Sequence, residues 1–155
     1  NPQDPEIYWQ FKEAVLGMGE MCRKLNTPVT GGNVSFYNET TESAVYPTPV
    51  IGMVGLADNK NITTHEFKNE GDIIVVLGSL NVSLGGSSYL KIIHNIIKGP
   101  LPKFNIDLEK NVQRTCLDSI KLGIVNSAHD MSDGGLSVNI AESVISSNKS
   151  LFTYT

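Results

Sequence analysis

Ile7, Phe11, Ala14, Val15, Met18, Cys22 and Leu25 recur at spacings of three and four residues. That rhythm predicts one amphipathic helix of about five turns. Asp4-Pro5-Glu6 supplies its start: a capping carboxylate, a proline in the first turn and an acid at the positive dipole end. Gly17 and Gly19 lie inside the pattern. Each costs about 1 kcal/mol against alanine, a cost that close packing on a flat sheet would offset.

The rhythm then changes. Residues 29–37 alternate, Val34 and Phe36 against Asn33, Ser35 and Tyr37, and predict a strand with one packed and one polar face. Val50-Ile51-Gly52-Met53-Val54-Gly55-Leu56 predicts a second strand, reached through the extended segment Tyr46-Pro47-Thr48-Pro49. From Ala57 to Gly71 the chain turns polar, and a boundary is placed there, giving parts 1–58 and 59–155.

In the second part, Asp72-Ile73-Ile74-Val75-Val76-Leu77-Gly78 is the continuous apolar run expected of a strand covered on both faces. Leu84-Gly85-Gly86-Ser87-Ser88 leads into a helix through Leu90, Ile93 and Ile97. A helix from about Asp107 to Leu122 carries Leu108, Val112, Cys116 and Ile120 on one stripe. A short strand, Gly123 to Ala128, precedes His129-Asp130-Met131-Ser132-Asp133-Gly134-Gly135, which opens a helix bearing Leu136, Ile140, Ala141, Val144 and Ile145. Twice a strand passes through paired glycines into a helix, which predicts an α/β layering.

Composition narrows the function classes. The chain has 155 residues, 40% hydrophobic and 18% charged, which marks a globular protein. A net charge of -4 without a Lys/Arg cluster argues against a nucleic-acid surface. The longest apolar run, Ile73 to Leu77, is far short of a membrane span. Cys22 and Cys116 are isolated within helical patterns and are read as buried thiols, excluding a disulfide framework, a CxxC pair and a cysteine zinc site. Asn33, Asn38, Asn61, Asn81 and Asn148 each begin an Asn-x-Ser/Thr triplet. They are read as a product of Asn-rich composition rather than as glycan acceptors. The turn-like start and strand-like end suggest a piece of something longer.

No Gly-Lys-Ser/Thr, dinucleotide fingerprint, His-Glu-x-x-His or Gly-x-Ser-x-Gly occurs, and His65, His94 and His129 are scattered. Three glycine-rich loops remain. At 30–35, Gly31 and Gly32 allow a phosphate or nucleotide to approach backbone N–H groups, and Asn33 and Ser35 suit a Mg²⁺ ion and a phosphorylated substrate. A bulge or tight helix–sheet packing explains the same glycines. At 84–88, a phosphate at a helix start competes with a plain Ser N-cap. At 129–135, Asp130 and Asp133 serve either a Mg²⁺ ion or the helix cap, with Asp133 favoured as the cap, and His129 reads as a packed, hydrogen-bonded histidine.

Asn1-Pro2, Pro5-Glu6-Ile7, Trp9-Gln10-Phe11-Lys12-Glu13-Ala14, Thr27-Pro28-Val29, Gly32 through Thr40, Pro47 through Gly55, Leu84-Gly85-Gly86-Ser87 and Ala128 through Leu136 together resemble the phosphoribosylformylglycinamidine synthase family, large-subunit type. The resemblance is collinear over nearly the whole chain. It implies an α/β (α+β) fold: the end of an N-type aminoimidazole-ribonucleotide-synthetase-like domain, then a C-type domain truncated at its end, both from the second of two tandem copies. It implies an ATP-dependent amidoligase of purine biosynthesis that converts formylglycinamide ribonucleotide to its amidine. Ammonia would come from a glutaminase subunit, in a cytoplasmic complex that also holds a small accessory subunit. By position, Gly32 would contact ATP, Asn33 would ligate Mg²⁺ and Ser35 would contact substrate. The family's catalytic histidine and main carboxylate ligands lie in the first copy, so no catalytic residue is expected here and the piece alone should be inactive. A structural nucleotide-binding module, or a related synthetase, is the alternative.

Overall fold

The computed structural model describes residues 1–80 and 83–147. The chain divides into two compact units, Asn1–Gly55 and Leu56–Thr155.

In the first unit, α1 spans Pro5–Leu25. Its start is built as its sequence dictates: Asp4 Oδ1 accepts from the Glu6 N–H at 2.9 Å and the Ile7 N–H at 3.3 Å, with Pro5 and Glu6 in the first turn. Asn26 ends the helix in the left-handed region at φ 55°, donating to the Arg23 carbonyl, and Thr27 N–H reaches the Cys22 carbonyl at 2.9 Å. Lys24 pairs with Glu20 one turn back at 2.6 Å, which lowers the Glu20 carboxyl below its usual range. Of the expected apolar stripe, Ile7, Phe11, Ala14, Met18, Cys22 and Leu25 are half-buried and Val15 is exposed. Gly17 and Gly19 do not mark close packing. A Cβ on Gly17 would meet nothing within 4 Å, and one on Gly19 only the mobile end of the Arg23 side chain at 3.3 Å.

The strands expected at 29–37 and 50–56 do not form. Among the described residues the β structure is a single antiparallel bridge, Glu39 to Ala44. It closes a hairpin-like turn in which the Thr40 hydroxyl accepts from the Glu42 and Ser43 N–H groups at 3.2 and 3.1 Å. The physical reason is that strand propensity describes fit to neighbours, and a lone pair of strands is marginal. Here the apolar side chains meant for the ladder stay uncovered: Val50 is 92% and Val54 96% exposed.

The second unit holds three helices: α2 (Ser88–His94), α3 (Ile106–Lys121) and α4 (Gly135–Ser146). A one-turn 3₁₀ segment, Asn59–Asn61, sits in the polar stretch, capped by Asp58. α2 stops three residues before Ile97 because Asn95 takes the left-handed conformation at φ 50° and Ile96 N–H returns to the Leu90 carbonyl. α3 starts on Asn105, whose side-chain oxygen accepts from the Asp107 and Leu108 N–H groups, both at 3.1 Å. The expected strands 72–78 and 123–128 also lack a ladder, and Ile73 and Val75 are exposed rather than covered on both faces.

What joins this unit is a set of polar ties. Asn126 Nδ2 donates to both carboxylate oxygens of Asp72 at 3.0 Å, and the Ala128 N–H donates to the Thr64 carbonyl at 3.1 Å. The Phe67 N–H reaches the Ser143 carbonyl of α4 at 3.3 Å. Among the described residues the buried ones are Ser143 and Ser147, and no apolar side chain is buried. Cys22 and Cys116 are free thiols, but half-buried rather than buried.

Candidate functional site

The three glycine-rich loops separate once their contacts are seen. In the first, Gly31 through Ser35 are all exposed. A Cβ on Gly31 or Gly32 would meet nothing within 4 Å, and neither glycine has a positive φ. So neither a close neighbour nor a left-handed backbone demands glycine there, and the packing explanation is not realised. The segment is fixed at one end by Phe36, whose ring meets Phe11 of α1 edge-on, with centroids 5.3 Å apart. Just beyond, Tyr37 lies in the left-handed region at φ 59°, and Asn38 Nδ2 donates to the Ser35 carbonyl at 3.5 Å. Gly32, Asn33 and Ser35 thus share one accessible segment. Asn33 supplies a neutral amide oxygen, a donor type that suits Mg²⁺ when phosphate and water complete the shell. Among the described residues no group of three His, Cys, Asp or Glu side chains could hold a metal by itself.

The second loop is closed by its own chain. The Gly86 N–H donates to the Lys98 carbonyl at 3.0 Å, and the Gly85 N–H to Ser83 Oγ at 3.2 Å. Ser87 is the N-cap of α2, its hydroxyl accepting from the Leu90 N–H at 3.2 Å. The Gly85, Gly86 and Ser87 N–H groups are all taken, the last by the Leu84 carbonyl at 3.1 Å, and the Ser N-cap is what these residues form.

In the third loop the cap of α4 is Gly134, at φ 84°, with no side-chain cap bond. The expected capping by Asp133 is therefore corrected: a Ser132–Gly135 turn, with the Gly135 N–H on the Ser132 carbonyl at 3.2 Å, brings glycine to the cap position. The Asp130 side chain is 90% exposed, while its main-chain carbonyl accepts from Asn139 Nδ2. His129 is the hydrogen-bonded histidine its sequence suggests, only 17% exposed, with Nε2 3.0 Å from Glu142 Oε2.

The structure adds neighbours that spacing does not reveal. The His65 ring lies 5.0 Å from that of His129, and His65 Nε2 is 2.8 Å from Ser146 Oγ. Together with Glu142 and Ile145 they line an open pocket of about 360 Å³. Glu142 and Ser146 are one turn apart on α4, a signal present in the sequence. His65 stands 64 positions before His129, and no local pattern links them. Beside His65, the Lys68 ammonium bonds Thr64 Oγ1 at 2.6 Å and also the Glu66 carboxylate. The Lys68 hydrogen bond, then the Glu66 backbone N–H and the Thr64 hydroxyl, hold the Glu66 carboxyl down at about 2, against 4.5.

No described helix is long and apolar enough to cross a membrane. The N-terminal domain model of AIR synthase related protein matches residues 1–57, and its C-terminal domain model matches residues 69–151. The chain belongs to the AIR synthase related protein family, with the two domains in the order its sequence predicts. It is 51% identical, over 146 residues, to the phosphoribosylformylglycinamidine synthase subunit PurL of Alkaliphilus metalliredigens (strain QYMF). That alignment covers 94% of this chain and 20% of the relative, so the chain spans about a fifth of that protein's length. No solved structure is significantly similar.

Proposed function

We propose that this chain is part of the large subunit of a phosphoribosylformylglycinamidine synthase. The observation that carries the reading is the 51% identity running through 94% of the chain. The reaction is the ATP-dependent conversion of formylglycinamide ribonucleotide to formylglycinamidine ribonucleotide. ATP phosphorylates the amide oxygen, ammonia released from glutamine adds to the activated carbon, and phosphate leaves, with ADP as the other product.

In this reading the N-type part ends near residue 58 and the C-type part follows from 59. Gly32 lets the nucleotide approach the backbone, which fits the open space around its Cα. Asn33 gives Mg²⁺ one oxygen, and Ser35 contacts the ribonucleotide; the exposure of both fits ligands that arrive from outside the segment. Mg²⁺, when bound, neutralises phosphate charge during transfer. In this reading further ligands and the catalytic groups come from the remainder of the subunit. A glutaminase subunit supplies ammonia, a small accessory subunit completes the complex, and the compartment is the cytoplasm.

The test uses the complete subunit with ammonia as nitrogen donor. Asn33→Ala and Ser35→Ala are each expected to lower kcat/KM for amidine formation by about 10-fold or more, a loss of one polar contact to a charged ligand. Wild-type kcat and KM in both variants, with unchanged stability, would instead make this a structural nucleotide-binding module.

A further inference from the structure

We propose that Phe11 of α1 is a positioning residue for the ligand segment, acting through Phe36 to set the place of Ser35. The inference rests on the reading of Ser35 as a ribonucleotide contact.

The two ends of the argument are a rigid support and a segment that needs one. α1 is capped by Asp4 at its start and by Asn26 at its end, and Phe11 lies half-buried on its apolar stripe. The segment 30–35 has no ladder to hold it, and its own side chains are exposed. What ties it to the helix is the edge-on contact of Phe36 with Phe11, at 5.3 Å and an interplanar angle of 66°. That is the preferred arrangement of two aromatic quadrupoles, so it fixes ring orientation as well as distance.

Ser35 is the residue next to that anchor. On its other side the chain turns at Tyr37 (φ 59°), and Asn38 donates back to the Ser35 carbonyl at 3.5 Å. Ser35 therefore sits inside a short closed unit that the Phe11–Phe36 ring pair attaches to the helix. Displacing Phe36 moves Ser35 with it, and a ligand contact misplaced by about 1 Å loses most of its value. Phe11 touches no ligand in this scheme.

The experiment compares Phe11→Leu, Phe11→Tyr, Ser35→Ala and Phe11→Leu with Ser35→Ala together, in the complete subunit with ammonia as nitrogen donor, with thermal stability measured for each. Leucine keeps apolar bulk and loses the ring edge; tyrosine keeps the ring. Phe11→Leu is expected to raise KM for the ribonucleotide about 10-fold with kcat changed much less, and Phe11→Tyr to stay near wild type. In the double variant the two effects should not multiply, because Phe11 acts only through Ser35. A lowered Tm with unchanged KM in Phe11→Leu, while Ser35→Ala raises KM, overturns the positioning role and leaves Ser35 standing. Effects that multiply in the double variant overturn it too. Unchanged KM in Ser35→Ala removes the ligand role of Ser35, and the positioning role falls with it.

Discussion

Gly85 lies so close to Pro100 that a β-carbon on it would stand 1.9 Å from the Pro100 carbonyl oxygen. The clash is with backbone, which cannot swing aside as a flexible side chain would. The neighbouring ties, Gly86 N–H to the Lys98 carbonyl and Ser83 Oγ to the Pro100 carbonyl at 3.3 Å, hold both segments of the contact in place. Gly85→Ala should therefore destabilise the chain by about 1–3 kcal/mol, the usual cost of overpacking, read as a shift in the urea midpoint. Gly31→Ala, where a Cβ meets open space, should cost far less. Equal costs for the two would remove the close-approach explanation of Gly85.

Asp4 accepts from two N–H groups that α1 cannot satisfy internally. Asp4→Ala leaves them to water and removes a negative charge from the helix start, so stability should fall by about 1 kcal/mol. Asp4→Asn keeps the hydrogen bond and loses the charge, and should recover most of the loss. Far-UV circular dichroism through a urea titration checks both, and a neutral Asp4→Ala would contradict the capping role.

These features were legible because they are local. The Asp4-Pro5-Glu6 start, the Ile7–Leu25 stripe and the Ser87 cap each depend on residues within about one turn, and the structure contains all three. The strands were not, because Val50, Val54 and Ile73 carry strand-like patterns whose fulfilment needs a ladder partner and a covering layer. Sequence pattern states what a segment suits, not whether its neighbour is present. The same limit hid His65 beside His129, and it misplaced the α4 cap on Asp133 when the turn geometry delivers Gly134. For Gly32, Asn33 and Ser35, alternation allowed a ligand role and only the resemblance singled one out.

Gly134 combines two constraints that a pair of substitutions partly separates. Its φ of 84° disfavours any side chain, and a Cβ there would stand 2.3 Å from Val138 Cγ2 one turn along α4. Gly134→Ala should cost the left-handed penalty of about 1–2 kcal/mol together with the clash. Val138→Ala alone should be mild, since Val138 is 40% exposed. Combined with Gly134→Ala it should relieve only the clash with the Val138 methyl groups, because the Cβ of residue 138, 2.6 Å away, remains, leaving the double variant less stable than Val138→Ala. Full restoration would mean that neither the backbone angle nor the remaining contact with the Cβ of residue 138 costs anything at this position.

The Glu66–Lys68 pair gives a pH dependence with a definite sign. The Lys68 hydrogen bond lowers the Glu66 carboxyl to about 2, from 4.5. A carboxyl whose folded-state value is depressed stabilises the fold above its unfolded value and loses that contribution as pH falls through the folded one. The pair's contribution should be fully present above about pH 4.5 and disappear between there and about pH 2. Because Glu66 and Lys68 are each about one-third exposed, added salt should weaken it. The check is urea unfolding of the wild type and Glu66→Gln at pH 6, 4 and 2.5. The wild-type advantage should be largest at pH 6 and shrink steadily with acid. An advantage that stays constant, or grows as the pH drops, would show that the carboxylate is not held by Lys68 in the folded chain.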